Sequence, residues 1–245
     1  MLPLILALEL CAVAQVAPPD ATWQAVLTAH VASDGTVDYA AIARDGALQG
    51  YVAALATASE PDDPAARLAF WINAYNALTV DLVADAWPLA SIRDLDGGKV
   101  WDTRRFTVAG RARTLNEVEN EEIRPLGDGR IHAAVNCASR GCPPLLRTAF
   151  AGPALEAQLD AAAARWVATN AIEVDREART ARLNPIFQWY AADFSGGTPP
   201  PGVPGEAGQA AAWIAAVAPA DLAAWLRAGG YQVGWMDYDW RVNGR

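Results

Sequence analysis

Apolar residues recur at helical spacing along much of the chain, and one stretch is almost continuously apolar. The run LAFWINAYNALTVDLV, residues 68–83, predicts a long buried helix. It should end near Trp87–Pro88, because proline disfavours helix in the residue before it. Thr114 and Glu117 have the spacing of a capping box and predict a second helix, which continues to about Arg124. The remaining helical patterns cover residues 23–31, 46–58, 153–169, 184–190 and 208–228.

Alternating patterns are fewer and shorter. Ile131–Asn136 predicts a short buried strand, and residues 173–183 predict a hairpin. Further short strands are predicted around residues 37–39, 106–110 and 231–243. This mixture predicts a single α+β domain with a small, mostly antiparallel sheet packed by several helices. A papain-like or transglutaminase-like arrangement is one way to build such a domain.

The composition limits the class of protein and of partner. The 245 residues are 53% hydrophobic and carry a net charge of −9. That much apolar material excludes a disordered chain, and the length fits one domain. The acidic balance disfavours nonspecific binding to nucleic acid or to an anionic membrane, because both require a basic surface. The expected partner is an unidentified small-molecule or peptide ligand. Binding to nucleic acid is not expected.

The N-terminus has the features of an export sequence. It is apolar over residues 2–16, with small residues at Ala12 and Ala14, which predicts a signal peptide cleaved after Ala14 or Ala17. Cleavage at the later site gives a signal peptide over residues 1–17 and a mature domain over 18–245. The protein would then be periplasmic or secreted. Glu9 interrupts the apolar stretch and no basic residue precedes it, so a buried N-terminal helix is the alternative. No other segment reaches the roughly 20 apolar residues of a membrane span, so none is expected in the mature chain.

The segment IHAAVNCASRGCPP, residues 131–144, holds the densest group of chemically active side chains. Its pattern predicts a strand, a tight turn and the start of a helix, an arrangement that holds functional groups rigidly. Pro143 suits the first position of a helix, which would place Cys142 at the N-cap. The helix dipole would lower the pKa of a thiol there, and Arg140 would reinforce the effect.

A cysteine–histidine pair in this segment depends on its secondary structure. Along a strand, alternate residues point to opposite faces, so His132 and Asn136 would share one face and Cys137 would point to the other. A bulge or an early strand end would bring His132 and Cys137 together. Otherwise His132 would serve Cys142 after the turn, or neither cysteine.

The two cysteines admit several interpretations. Cys137 and Cys142 have four residues between them, a spacing that suits a small disulfide loop and differs from the two-residue spacing of familiar redox motifs. A reactive thiol in catalysis, a redox pair and a structural disulfide therefore all remain open. Together with His132 the cysteines match no standard zinc module, so neither a metal nor a cofactor is expected.

Other candidates lie outside this segment. Asn73 and Asn76 share one face of the apolar helix, and they either tie down nearby backbone or orient a substrate as pocket-lining amides. Glu119 follows the capping box and is either part of a solvated acidic helix start or an active-site carboxylate. Trp189 and Tyr190 are either core residues or part of a pocket wall that would also include Asp193 and Phe194.

Several of these motifs occur together and in one order: SDGTVDY, LAFWINAYNALTV, SIRDL, LNEVE, IHAAVNCASRGCPP, IFQWYAADF and YDWRVN. In this respect the chain resembles the domain of unknown function 547 (DUF547) family from about Trp23 to Asn243. The resemblance implies little about activity, since the name of the family states that its function is unknown. Some plant relatives carry the domain beside a glutaredoxin-like domain, which favours thiol chemistry by association.

Three functions are compatible with the sequence. The first is a thiol-dependent hydrolase or acyl transferase, with Cys137 or Cys142 as nucleophile, His132 as base, and Asn73, Asn76 or Glu119 as orienting groups. The second is a non-catalytic exported binding module with a structural Cys137–Cys142 disulfide. The third is a thiol–disulfide redox protein.

Overall fold

A 22-residue helix, α4 (Pro64–Asp85), runs through the centre of the fold and confirms the predicted long apolar helix. The computed structural model describes residues 20–245, so the predicted signal peptide lies outside the described residues. The carboxylate of Asp63 accepts a hydrogen bond from the backbone N–H of Ala66, and Pro64 occupies the first turn, so the start of α4 is capped. From Leu68 to Ala84 nearly every residue is buried.

The N-terminal helices form the first core around α4. These are α1 (Asp20–His30), α2 (Tyr39–Asp45) and α3 (Ala47–Thr57). Trp23 of α1 stacks on Tyr51 of α3, with ring centroids 5.9 Å apart, and both rings are almost completely buried. The predicted strand at residues 37–39 is wrong, because Val37 forms only isolated bridges and Tyr39 already begins α2.

A short hairpin and a bulged helix follow α4. A 3-10 turn (Ile92–Gly98) and α5 (Val100–Thr103) lead into the antiparallel strands β1 (Phe106–Val108) and β2 (Arg111–Arg113). The predicted capping box forms, since the Thr114 hydroxyl accepts from the Glu117 N–H and the Glu117 carboxylate accepts from the Thr114 N–H. Only α6 (Leu115–Glu117) is α-helical, and it continues as a π-helical turn (Val118–Ile123).

The C-terminal half builds a second core beneath a three-stranded sheet. Its elements are α7 (Leu155–Thr169), β3 (Ile172–Asp175), β4 (Thr180–Leu183), α8 (Ile186–Trp189), α9 (Gly205–Val217), α10 (Ala220–Ala228) and β5 (Gln232–Trp235). Strands β3 and β4 form the predicted hairpin, whereas β5 pairs with β4 in parallel. The predicted single helix over 208–228 is two helices, because Pro219 has no N–H to donate and disfavours helix at Ala218.

The segment 131–144 differs most from prediction. It contains no strand: Gly129–Ala133 is a 3-10 helix, followed by irregular backbone. Two buried amides replace the strand ladder, since Asn76 bonds the backbone at Ala134 and Asn136, and the Asn136 side chain accepts from the Ala138 N–H at 2.8 Å.

The predicted helix after Cys142 is also absent, and residues 143–150 are irregular. The side-chain amide of Asn73 donates to the carbonyl of Phe150 and accepts from its N–H, which ties the end of this stretch to α4. Cys142 is therefore no helix N-cap, and the predicted effect of a helix dipole on its thiol is wrong.

The predicted fold class is confirmed as a single α+β domain of helices packed on small sheets. Within residues 20–245, no helix is both long enough and apolar enough to cross a membrane.

Candidate functional site

A cavity of about 170 Å³ opens beside the segment 131–142. Six of its lining side chains are tyrosines or tryptophans: Tyr75, Trp101, Trp189, Tyr190, Tyr238 and Trp240. The remaining lining side chains are Asn116, Glu119, His132, Val135, Cys137, Cys142 and Ile186. The cavity therefore combines an apolar wall with few polar groups, a composition typical of small-ligand sites.

Cys137 and Cys142 form a disulfide on the cavity wall, with their Cα atoms 6.3 Å apart. Cys142 is 6% exposed, and Cys137 is the more accessible of the two. The hydroxyl of Tyr238 lies 3.1 Å from Sγ of Cys142 and 3.2 Å from Sγ of Cys137. The backbone N–H of Cys137 donates to Sγ of Cys142 at 3.0 Å. Both sulfurs thus have hydrogen-bond donors positioned to stabilise negative charge if the disulfide is reduced.

Two further contacts place Tyr238. The Ser139 hydroxyl lies 2.8 Å from the Tyr238 hydroxyl, and the ring of Tyr238 lies against Gly141, where a Cβ atom would be 2.8 Å from the ring carbons. Burial, with a smaller contribution from the charge of Glu119, raises the pKa of Tyr238, so this phenol stays protonated and can donate.

His132 is paired with a carboxylate from the other half of the chain. Its Nε2 atom lies 2.8 Å from Oδ2 of Asp193, and its side chain is 1% exposed. Asp193 also accepts two hydrogen bonds from Arg124, at 2.7 and 2.9 Å. These bonds from His132 and Arg124 hold the pKa of Asp193 well below its ordinary value. A carboxylate on Nε2 favours the tautomer with the proton on Nε2 and leaves Nδ1 to accept a proton.

The rings around His132 fix its orientation. The ring of Tyr190 lies against the imidazole, with the two ring centroids 4.2 Å apart, and the centroid of the Phe194 ring lies 5.2 Å from that of the imidazole. Arg124 lies over Tyr190 at 5.3 Å. Because neighbouring rings pack on the imidazole, its plane is held while Asp193 sets its tautomer.

The π-helical turn places Glu119 in the cavity. Glu119 belongs to this turn (Val118–Ile123), lines the cavity, and is only 6% exposed. The phenols of Tyr75 and Tyr190 adjoin its carboxylate, and burial, together with this negative charge, raises the pKa of both. In the part of the chain described here, no Lys, Arg or His forms an ion pair with Glu119.

Three tryptophans shape the mouth of the cavity. Trp189 stacks on Trp240 at 5.7 Å, and Trp101 meets Trp240 edge-on at 6.2 Å. Trp189 is 49% exposed, which is unusual for a large aromatic ring. An exposed ring stacked at a cavity mouth is a surface on which a ligand can pack.

The structure brings together some of the predicted site residues and separates others. His132, Cys137, Cys142, Glu119, Trp189 and Tyr190 all line the cavity. Since the 131–136 segment is no strand, the predicted separation of His132 from Cys137 by alternation is wrong.

The other predicted residues lie elsewhere. The side chains of Asn73 and Asn76 form hydrogen bonds with nearby backbone, which was one of the two roles predicted for them. Asn136 is buried behind the cysteine loop, where its amide donates to the Pro143 carbonyl at 2.7 Å. Arg140 is exposed and does not line the cavity, and its guanidinium donates to the Val242 carbonyl.

Several cavity residues had no identified role in the sequence. Among them, Tyr238 and Trp240 lie in the C-terminal segment, and Asn116 precedes the π-helical turn. The sequence indicated Asp193 only as part of a possible pocket wall, and its pairing with His132 was not predicted. The aromatic density of the C-terminal segment was the one feature that could have drawn attention to it. Among residues 20–245, no three His, Cys, Asp or Glu side chains are arranged to hold a metal ion.

Comparison with known proteins matches part of the chain to a family of unknown function. Residues 62–167 match the family described as "Protein of unknown function, DUF547", in agreement with the resemblance seen in the sequence. No curated protein and no solved structure matches the chain. The matched segment includes Glu119, His132 and both cavity cysteines, whereas Asp193 and Tyr238 lie beyond it.

Proposed function

We propose that this protein, which belongs over residues 62–167 to the DUF547 family of unknown function, is a thiol-dependent hydrolase or acyl transferase. Its disulfide would be the resting form, and a dithiol reductant would convert it to the active form. The supporting observation is that His132, which is paired with Asp193, and both cysteines line the same small cavity. A nucleophile, a base and a group that orients the base are the parts that covalent acyl transfer requires.

Cys137 is the proposed nucleophile. It is the more accessible of the two cysteines, and hydroxyl groups of Ser139 and Tyr238 lie 3.1 and 3.2 Å from its sulfur. Cys142, which is 6% exposed, would act as its partner in the resting disulfide. Reduction by a dithiol transfers two electrons and two protons to the disulfide and leaves two thiols.

The proposed reaction then balances as two acyl transfers. Nδ1 of His132 takes the proton of the Cys137 thiol, and the sulfur attacks the carbonyl carbon of the substrate. The bond from that carbon to the leaving alcohol or amine breaks, and the imidazolium returns the proton to the leaving group. Water or an acceptor amine next attacks the thioester, and Cys137 is released as a thiol.

A second observation supports this assignment of roles. Asp193 remains a carboxylate because of its bonds to His132 and Arg124, so it can stabilise the imidazolium that forms during proton transfer. The side chain of Asn116 also lines the cavity, where its amide could donate to a developing oxyanion.

Acylation by a simple activated ester tests the proposal. The protein is reduced with a dithiol and mixed with p-nitrophenyl acetate, and intact mass with peptide mapping locates the acetyl group. We expect a thioester on Cys137 that Cys137→Ser abolishes and Cys142→Ser retains. His132→Ala and Asp193→Asn should each slow acetylation by about 10²–10⁴-fold.

The chain provides a matched control for the histidine. His30 is the only other histidine, and its Nε2 atom lies 2.8 Å from Asp45, the same distance as in the His132–Asp193 pair. His30→Ala should leave the rate unchanged. If Cys137 acetylates no faster than a cysteine peptide, or equally fast in His132→Ala, the protein is not a thiol acyl-transfer enzyme.

Thiol–disulfide exchange is the second candidate, favoured by the position of the disulfide on the cavity wall. The reduced protein would then transfer two electrons to a disulfide such as glutathione disulfide, and its own disulfide would re-form. Rapid exchange without Cys137 acetylation would favour this function. A disulfide that resists dithiols in the folded protein would instead favour a binding module with a structural disulfide.

Export is proposed on the N-terminal sequence, and a disulfide suits an oxidising compartment such as the periplasm. Fractionation of cells, with intact mass of the protein recovered, tests it. Recovery from the periplasm or medium of a chain that begins near residue 15 or 18 is expected. A full-length cytoplasmic chain would contradict export.

A further inference from the structure

We infer that the cavity recognises an organic cation, and that the substrate carries an alkylammonium group that binds next to Glu119. The inference rests on the proposed function only in naming this ligand as part of its substrate. Binding of the cation itself requires neither a free thiol nor catalysis.

The charge balance of the cavity is the first argument. Glu119 is the one carboxylate that lines the cavity, it is 6% exposed, and no ion pair with it forms within residues 20–245. A buried carboxylate normally has a cationic partner, because desolvation without one is costly. Its neighbours are instead the phenols of Tyr75 and Tyr190.

The other charged groups nearby do not neutralise Glu119. Arg124 is close enough for Glu119 to raise its pKa, but its guanidinium donates to Asp193 and, at 2.6 Å, to Asn120. Asp193 in turn is paired with both Arg124 and His132. The pairing within this group leaves the negative charge of Glu119 available to a ligand.

The wall of the cavity supplies the second argument. The faces of aromatic rings attract cations, and Tyr75, Tyr190, Tyr238 and three tryptophans surround this space. Among the cavity-lining side chains in the described range 20–245, only His132 can carry positive charge. Aromatic rings around one carboxylate are the arrangement that binds ammonium groups and rejects anions.

The size of the cavity limits the ligand. About 170 Å³ accommodates a short alkylammonium chain, such as the end of a lysine side chain or a small amine. The stacked rings of Trp189 and Trp240, which both line the cavity, would pack against the rest of the substrate. We therefore expect a primary ammonium on a chain of a few carbons to bind.

Calorimetry on the oxidised protein tests this inference with n-butylammonium chloride as probe and 1-butanol as its neutral counterpart. We expect n-butylammonium to bind at least about tenfold more tightly than 1-butanol, since only the cation gains from Glu119 and the ring faces. Equal binding of both, or binding of neither, would overturn the inference. This comparison uses the unmodified protein, so it does not depend on the folding of any variant.

Two variants locate the binding site. Glu119→Gln keeps the shape of the side chain and should weaken n-butylammonium binding by about tenfold or more. Glu121 belongs to the same π-helical turn, and its side chain is 56% exposed. The control variant Glu121→Gln should therefore change n-butylammonium binding by less than about twofold. Equal losses in both variants would show a general effect of protein charge and overturn the assignment.

Failure of this inference is distinguishable from failure of the proposed function, because p-nitrophenyl acetate carries no cation. Acetylation of Cys137 without n-butylammonium binding would support the proposed enzyme activity and refute the inference that the cavity binds an organic cation. Cation binding without acetylation would do the reverse.

Discussion

Nε2 of His132 lies 2.8 Å from Oδ2 of Asp193, although the two residues are 61 positions apart in the chain. The pair forms because the 3-10 turn Ala191–Phe194 packs against the 3-10 helix Gly129–Ala133, with Phe194 and Tyr190 on the imidazole. The pair orients the cavity-lining histidine and joins the two halves of the fold.

The Asp193 interactions should make stability depend on pH in a defined direction. The pKa of Asp193 is lowered by His132 and Arg124, so in the folded state its carboxylate holds a proton less readily than in the unfolded state. Its contribution to stability is therefore fully present above the ordinary pKa of 3.8 and is lost as the pH falls toward the folded pKa. Wild-type protein should exceed Asp193→Asn in unfolding free energy at pH 7, and the difference should shrink below about pH 5.

Urea unfolding of both proteins at several pH values between 7 and 3 measures this difference. Asp221→Asn serves as control, since Asp221 pairs with Arg176 on the surface and its side chain is 74% exposed. A gap between wild type and Asp193→Asn that stays constant down to pH 3 would contradict the stated role of Asp193.

The disulfide should contribute modestly to stability because it closes a short loop. Cys137 and Cys142 are five positions apart, and the loop-entropy relation gives about 2 kcal/mol for a loop of this length. Reduction, or Cys142→Ser, should lower the unfolding free energy by about that amount and leave the protein folded. Urea titration with and without a dithiol checks this, and unfolding on reduction alone would show a far larger structural role.

Asn76 and Asn73 provide a matched pair of buried amides. Each donates to one carbonyl and accepts from one N–H, at Ala134 and Asn136 for Asn76 and at Phe150 for Asn73. Alanine at either position should cost about 2–4 kcal/mol, because buried backbone groups lose their partners.

The two variants should differ in their effect on the cavity. Asn76 holds the backbone immediately before Cys137, whereas Asn73 holds a loop that does not line the cavity. Asn76→Ala should therefore weaken n-butylammonium binding more than Asn73→Ala. Equal effects on binding in calorimetry would show that Asn76 does not position the cavity wall.

Gly141 should be intolerant of even a small side chain. A Cβ atom there would lie 2.8 Å from the ring of Tyr238, so Gly141→Ala must displace this ring, whose hydroxyl lies 3.1 Å from Sγ of Cys142 and 3.2 Å from Sγ of Cys137. Overpacking of this kind costs about 1–3 kcal/mol. Gly234→Ala, which meets no atom within 4 Å, is the control. Thermal and urea unfolding should separate the two variants, and equal stability would refute the close contact.

Local sequence patterns determined most of the longer helices, the two hairpins and the capping box. The apolar run of α4, the turn between β1 and β2, and the Thr114–Glu117 spacing each depend on residues close in sequence. Such features follow from propensity and capping, which need no knowledge of distant residues. The concentration of chemistry in residues 131–142 was visible for the same reason.

Tertiary structure decided what that segment became. The Ile131–Asn136 pattern favoured a strand, but the amide of Asn76, 60 residues away from Asn136, bonds the backbone that a strand partner would need. Loss of the strand also removed the alternation that separated His132 from Cys137. Local apolar patterning cannot distinguish these outcomes, because the competing hydrogen bonds come from distant residues.

The sequence by itself determined an α+β chain with a long buried helix and a segment, residues 131–144, dense in chemically active side chains. Only the tertiary structure paired Asp193 with His132 and placed the Tyr238 hydroxyl next to both sulfurs. It also placed the Glu119 side chain in the wall of an aromatic cavity. Each of these depends on packing between elements far apart in sequence, or on a π-helical turn that no propensity indicates. The physical reason is that a site is defined by distances through space, which a linear pattern does not contain.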